Sequence, residues 1–114
     1  MDESPNIAAL AAHLADPARA RMVLALMDGR ALTVSELGAV AGLGKASASE
    51  HAARLQEAGL LAADRQGRHK YLRLAGAGVA RLIEAMMALA PAPAAPARPL
   101  RTGPGAGGVG TRQG

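Results

Sequence analysis

The sequence contains no cysteine among its 114 residues. This absence excludes disulfides, thiolate metal sites and cysteine nucleophiles together. The chain also lacks an uninterrupted apolar segment long enough to span a bilayer, and residues 1–5 show no basic stretch that leads into an apolar one. We therefore expect a cytoplasmic protein with no membrane partner.

Catalytic chemistry is also missing from the pattern. No nucleophile pairs with a base, and the glycine-rich residues 103–110 follow no predicted strand and precede no predicted helix, unlike a phosphate-binding loop. His13, His51 and His69 fall on separate predicted elements, without an i, i+4 partner or a cluster of acids. We predict no enzyme activity, no cofactor and no metal site, and we interpret His51 as a partly buried, hydrogen-bonded helix residue.

The length allows one domain at most, which we place at residues 1–90. From Pro91 the composition changes to proline and then glycine, with no acid, which predicts a disordered tail over residues 91–114. About 90 residues bury only a modest core, so an apolar stripe without a partner in the chain indicates oligomerisation.

The net charge of +4 is unevenly distributed. Residues 1–90 hold ten of the thirteen basic residues and all nine acids, a balance of +1, whereas residues 45–73 alone hold six bases against three acids. A local basic excess is typical of a surface that meets phosphate, although a solvated surface without a partner gives the same count.

Apolar periodicity and capping residues predict five helices. Asn6 can cap the first helix, and Asp16-Pro17 starts the second with a carboxylate cap and a proline at its first position. Gly29 ends the second helix and Gly59 ends the fourth. The predicted helices cover residues 6–15, 17–28, 33–42, 45–58 and 76–90, with a short strand before the third.

A glycine turn joins the third and fourth helices. Thr33 and Glu36 stand three residues apart, which fits a capping box at the start of the third helix. Its predicted inward residues are Leu37, Val40 and Ala41. The fourth helix has a polar outer side, as a groove-reading helix requires, and a thin inner side of small residues that allows close packing. That inner side comprises Ala48, Ala52 and Leu55.

Two extended runs follow, at residues 60–65 and 69–74, around Gln66-Gly67, a dipeptide suited to a tight hairpin. Leu72 and Leu74 alternate with Tyr71 and Arg73, so one side of the hairpin can pack on the helices. The predicted fold class is mainly α with a β-hairpin wing, a winged helix-turn-helix. The alternative is a small α+β domain whose basic hairpin is merely soluble.

This arrangement predicts a surface for double-stranded DNA. Ser47 and Ser49 can reach base edges or phosphates, while Lys45 and Arg54 can hold phosphates or reach guanine. Glu50 either accepts from a cytosine or pairs with Arg54 four residues on, and we favour the pairing. The hairpin contributes four more predicted DNA-binding residues at or beside its tip: Arg65, Arg68, His69 and Lys70.

The first and fifth helices carry more apolar surface than a thin core requires, which predicts a homodimer interface. The residues assigned to this interface are Ile7, Leu10, Leu14, Val79, Leu82, Ile83, Met86 and Met87.

Five segments carry a family resemblance: LADPAR (14–19), TVSEL (33–37), SEH (49–51), LQEAGL (55–60) and RQGRHKYLRL (65–74). Together they resemble the ArsR/SmtB family of bacterial transcriptional repressors over about residues 7–90. The resemblance implies a homodimeric winged helix-turn-helix protein with its first and fifth helices in the interface. It further implies binding to a palindromic operator that is released when a metal or another signal is sensed.

The chain departs from that family in its sensing regions. Metal sensors carry cysteines in the third helix, where this chain has TVSEL, and Asp and His ligands in the fifth, where it offers only Glu84. We therefore predict no metal-sensing site of the usual family types. Glu50 stands where many relatives have a basic or amide residue. Similar chains continue past a proline-rich linker into further helices, which gives the hypothesis that a C-terminal sensing region is missing.

We predict a DNA-binding transcriptional regulator, a repressor that binds a palindromic operator as a homodimer. The alternative is a protein-interaction module that has lost operator binding and heterodimerises with related regulators through its first and fifth helices.

Overall fold

The computed structural model describes residues 4–92, which form five helices and a three-stranded antiparallel sheet in the predicted order. The predicted tail lies outside the described residues from position 93 onward. The helices are α1 (Ile7–Ala15), α2 (Pro17–Ala25), α3 (Val34–Ala41), α4 (Lys45–Glu57) and α5 (Ala77–Leu89). The strands are β1 (Leu32–Thr33), β2 (Leu61–Gln66) and β3 (His69–Leu74), in the spatial order β1-β3-β2.

The predicted caps at the first three helix starts are present. Asn6 and Asp16 each accept backbone N–H bonds, at the starts of α1 and α2. Thr33 and Glu36 complete a capping box in which the Glu36 amide donates to Thr33 Oγ1 at 3.2 Å and the Thr33 amide donates to Glu36 Oε1 at 2.9 Å. These bonds satisfy N–H groups that have no partner within the helix.

The second helix ends earlier than predicted. We expected it to reach Asp28, and that prediction was wrong, because α2 ends at Ala25. The amides of Leu26, Met27 and Gly29 bond to carbonyls three residues back, at 3.1 to 3.2 Å. The chain therefore tightens into successive turns after Ala25 while the apolar spacing continues.

The hairpin turn lies one residue later than predicted. Gln66 pairs with His69 across the hairpin, so Gly67 and Arg68 form the two-residue loop rather than Gln66 and Gly67. Gly67 takes φ +62° at the first loop position, a conformation that glycine reaches without steric cost and that tight hairpins use. Arg68 consequently lies at the tip of the wing.

One aliphatic core joins α2, α3, α4, the sheet and Ile83 of α5. Its largest fully buried side chains are Met22, Val23, Leu26, Leu37, Leu55 and Leu72. No polar or charged residue within residues 4–92 is buried. The expectation that Val40 points inward was wrong, since half of its surface (50%) is exposed. Among the described helices, none combines the length and apolar character that a bilayer crossing requires.

Gly38 sets the distance between α3 and α4. A Cβ atom at this position would lie 2.8 Å from the Cβ of Ala48, closer than two carbons can approach. The small inner side predicted for α4 is confirmed, because Ala48, Ala52 and Leu55 are all buried. The two helices of the helix-turn-helix pack closely because both helices present small residues at their contact.

Candidate nucleic-acid interface

The outer side of α4 is polar and open. Gly44 caps the helix through its backbone alone, with its carbonyl accepting from the Ala48 amide at 2.9 Å. Because Ala48, Ala52 and Leu55 occupy the inner side, most of the other side chains of the helix project away from the core. All five predicted DNA-contacting residues of this helix are exposed: Lys45, Ser47, Ser49, Glu50 and Arg54.

Glu50 and Arg54 form the favoured intrahelical pair. Arg54 Nη2 lies 3.4 Å from Glu50 Oε2, and both side chains are more than half exposed. An exposed i, i+4 pair contributes only about 0.3–0.5 kcal/mol. A DNA phosphate can therefore compete with Glu50 for Arg54.

The wing presents cations without acidic partners. Arg65, Arg68 and Lys70 are exposed, and none of them takes part in an ion pair within residues 4–92. Arg65 and Lys70 are direct cross-strand partners, and like charges in this register destabilise a hairpin. His69 is also exposed and stands beside Tyr71, with ring centroids 6.2 Å apart. The tip of the wing thus concentrates positive charge at some cost to its own strand pairing.

Arg73 is not part of that free charge. Its Nε lies 2.6 Å from Asp64 Oδ2, and its Nη1 donates to the Leu74 carbonyl at 3.2 Å. The hydrogen bond and the negative charge of Asp64 raise the pKa of Arg73. Although Arg73 contributes to the basic excess of residues 45–73, its charge is balanced within the hairpin.

Two arginines of α2 hold this surface in place, and the sequence analysis missed both. Arg21 donates from Nε and Nη2 to the Ala41 carbonyl, at 3.2 and 2.9 Å, and so satisfies the end of α3 at the turn. Arg19 contacts His51 on the inner flank of α4, at 3.0 Å. His51 is half-buried and hydrogen-bonded, as predicted. The bonds of Arg21 go to a backbone carbonyl, and no residue pattern marks such a carbonyl.

The apolar residues predicted for the dimer interface remain largely open in the single chain. Ile7, Met86 and Met87 are 74, 41 and 55% exposed. Leu10, Leu14, Val79 and Leu82 are half-buried, whereas Ile83 is buried in the subunit core. Four of the predicted residues line one apolar groove between α1, α2 and α5. The groove is lined by Leu14, Ala20, Val23, Leu24, Ile83, Met86, Met87 and Ala90.

The described residues contain no group of three or more His, Asp or Glu side chains placed to hold a metal ion.

Comparison with known proteins places this geometry among regulators. A family model described as MarR family matches residues 16–70. The uncharacterized HTH-type transcriptional regulator YdfF of Bacillus subtilis is 41% identical over 88 residues, which is 77% of this chain and 39% of that protein. This chain therefore spans well under half the length of that relative.

Solved structures show the same fold. A homodimeric winged helix-turn-helix DNA-binding domain from Mycobacterium bovis, a possible ArsR-family transcriptional regulator, superposes with a TM-score of 0.68 at 25% identity, over 78% of this chain and 89% of that one. The transcriptional repressor BigR from Xylella fastidiosa superposes with a TM-score of 0.66 at 28% identity, over 76 and 88%. The predicted winged helix-turn-helix fold is confirmed.

The family findings support the resemblance in part. The matching model is that of the MarR family, while ArsR-type regulators occur among the structural neighbours. The broader prediction of a winged helix-turn-helix regulator is supported, and the narrower ArsR/SmtB assignment is not confirmed by the family model.

Proposed function

We propose that this chain, a winged helix-turn-helix transcriptional regulator that matches the MarR family, binds double-stranded DNA as a homodimer and represses transcription by occupying a promoter. The α4 helices of the two subunits would lie in successive major grooves about 34 Å apart, and the two wings would flank them. A two-fold symmetric dimer reads equal half-sites, so the proposed operator is palindromic.

One observation carries this proposal. Three exposed cations at the wing tip have no acidic partner among the described residues, and two of them face each other across the hairpin. Such a pair opposes folding unless an external anion meets it. The DNA backbone supplies that anion as a row of phosphates.

The homodimer is supported by the open apolar surface of α1 and α5. Exposed apolar side chains in a small domain are stabilised when a second copy removes them from water. The Mycobacterium bovis domain with the same fold is homodimeric. We propose that α1 and α5 pair with the same helices of a second subunit, through the predicted interface residues.

Metal sensors of the ArsR/SmtB family hold their metal with cysteines in the third helix. This chain has no cysteine, so we propose that it does not sense a metal in that way. The operator sequence and the regulated gene are to be found by recovering genomic fragments on the purified protein.

The wing is tested by salt dependence. We expect Arg68→Ala/Lys70→Ala to weaken binding to all DNA sequences and to lower the slope of log K against log salt by about 1 for each lost phosphate contact. Fluorescence anisotropy with labelled operator DNA at several salt concentrations measures both. Arg81→Ala, which removes one exposed charge from α5, is the control and should leave the slope unchanged. Equal operator retention by the wild type and the double variant at moderate salt contradicts the assignment.

The dimer is tested by placing a charge in its proposed interface. We expect Met87→Glu to produce a monomer by light scattering, because the interface would bury an unpaired carboxylate. Val40→Glu is a matched control, since Val40 and Met87 are similarly exposed (50 and 55%) but lie on different helices. A dimer that persists in Met87→Glu at micromolar concentration argues against this interface.

A further inference from the structure

A single arginine connects three helices behind the proposed DNA-binding surface. Arg19, in the first turn of α2, donates from Nε to the His13 carbonyl at 2.7 Å and from Nη2 to the Ala12 carbonyl at 3.4 Å. Both carbonyls belong to the last turn of α1, where helix geometry leaves such groups without partners. Its Nη1 lies 3.0 Å from Nδ1 of His51, on α4. Arg19 thereby connects α4, the proposed recognition helix, to α1, a helix of the proposed dimer interface.

This contact requires one tautomer of His51. A guanidinium carries only N–H donors, so Nδ1 of His51 must be the acceptor, and its proton must sit on Nε2. A second proton on the ring would turn Nδ1 into a donor and set an imidazolium against a guanidinium. The hydrogen bond between α2 and α4 then becomes a repulsion between two cations.

The other charges around α4 leave Arg19 as the direct partner of His51. From α2 and its cap, Asp16 interacts electrostatically with His51, and Arg21 is held by the Ala41 carbonyl. The remaining charged groups are engaged elsewhere or exposed. They are Glu36 of α3 in its capping box, Asp64 of β2 paired with Arg73, Arg65 of β2 in solvent, Lys45 and Glu57 of α4 in solvent, the half-buried His13 of α1, and Glu50 and Arg54 of α4 paired with each other.

We infer that Arg19 and His51 are positioning residues for DNA binding, and that the protein binds its operator only while His51 is neutral. This inference rests on the proposed function. Protonation of His51 would release the inner flank of α4 from the α1–α2 junction, and the two recognition helices of a dimer would no longer be held at the spacing of their half-sites. Operator affinity should therefore fall on acidification, because a proton on Nδ1 removes the acceptor of the Arg19 hydrogen bond.

His69, on the wing, should change operator affinity in the opposite direction to His51 when the pH falls, so the two effects can be told apart. His69 is exposed beside the cationic tip, so its protonation adds a positive charge that attracts phosphate. Acidification would then strengthen binding through His69 and weaken it through His51. Only the second change is expected to depend on Arg19.

Operator binding should be measured from pH 7.5 to 5.5 at constant ionic strength. For the wild type we expect a loss on the order of tenfold, because each subunit of the proposed dimer loses a hydrogen bond that involves a charged group. His51→Asn, whose amide oxygen can accept from Arg19 but does not titrate, should bind like the wild type at pH 7.5 and lose little affinity at pH 5.5. The operator affinity of His69→Asn should fall more steeply with acid than that of the wild type. The affinity of His13→Asn should change with pH as the wild type does.

Two DNA results would overturn the inference. One is a His51→Asn variant that loses affinity with acid as the wild type does. The other is a His51→Asn variant that has already lost operator affinity at pH 7.5 and stays equally weakened at every pH, which would mean that His51 itself contacts DNA. If the wild type binds no DNA at any pH, the proposed function fails instead.

A second measurement needs no DNA. Nuclear magnetic resonance of the ring nitrogens should show His51 with its proton on Nε2 at pH 7.5, and Arg19→Gln should change the Nδ1 signal. The opposite tautomer in the wild type, or a signal indifferent to Arg19, would refute the contact on which the inference depends.

Discussion

The helices of this chain differ in how fully the single chain buries them. The helices α2, α3 and α4 each contribute buried residues, with Leu37 and Leu55 at 0% exposure. In contrast, α1 buries no residue completely and α5 buries only Ile83. Removing a large aliphatic side chain from water stabilises by about 1.5–3 kcal/mol. The helix-turn-helix obtains this stabilisation within the single chain. On α1 and α5, large apolar side chains are still exposed to water.

This difference separates the two tasks of the proposed regulator. The part that would read DNA packs its apolar residues into the core of the single chain. The part that would join two copies is left open. Mutations in the two regions should therefore have different consequences, which we state from the largest expected effect to the smallest.

Leu37→Ala should have the largest effect. Leu37 is fully buried, and truncating such a leucine costs about 2–5 kcal/mol of unfolding free energy through lost burial and a cavity. The same change at Leu89, which is 86% exposed on α5, should cost less than about 0.5 kcal/mol in dilute protein. Urea denaturation measures both. Similar losses in the two variants would remove the distinction between the regions.

Gly38→Ala and Gly78→Ala should change stability in opposite directions. The methyl group added at Gly38 meets Ala48 Cβ at 2.8 Å, which forces α3 from α4 and costs about 1–3 kcal/mol. At Gly78 the nearest atom is Arg81 Nη2 at 3.9 Å, so the methyl group fits, and a helix gains up to about 1 kcal/mol from replacing glycine.

Thermal unfolding of the two glycine variants measures the difference. A Gly38→Ala/Ala48→Gly double variant should recover part of the loss, because it returns space to the contact. A stable Gly38→Ala protein would show that the α3–α4 contact is looser than its geometry indicates.

Asp16, at the junction of the two regions, should give the smallest effect. The Arg19 amide donates to its carboxylate and lowers its pKa, helped by the Ala18 amide and the charges of His51 and Arg19. A carboxyl whose folded pKa is lowered stabilises above its unfolded pKa, and that stability is lost as pH falls through the folded value. The wild type should therefore lose more stability than Asp16→Asn between pH 5 and 3, since asparagine still caps the helix without titrating. Equal losses by chemical denaturation would show that the charge of Asp16 contributes nothing.

The sequence predicted the features that depend on near neighbours. The capping box of Thr33 and Glu36 and the inner side of α4 follow from spacings of three or four residues, and both are confirmed. The predicted end of α2 was wrong because apolar spacing continues through Leu26 after the helix has tightened into turns. Val40 fits the helical pattern of α3, and only the packed structure shows that its side of the helix has no partner.

The contacts missed by the sequence analysis join distant parts of the chain. Arg19 and His51 are 32 residues apart, and Arg21 reaches a carbonyl 20 residues away. In the sequence, Gly38 is one helix residue among others. Its role in packing is visible only once the position of Ala48 is known. The exposed site residues of α4 and the wing were predictable as a set because charge and periodicity mark them. Their contact with the bases or phosphates of DNA stays a prediction.

Tyr71 lies in the central strand of the sheet, between Thr33 of β1 and Asp64 of β2, and it can serve as an optical reporter. The chain has one tyrosine and no tryptophan, so its entire near-ultraviolet emission comes from the middle of the wing. An unlabelled sample can therefore be followed at that single place, and a change in its light output on mixing with a ligand or on acidification is already assigned to one residue.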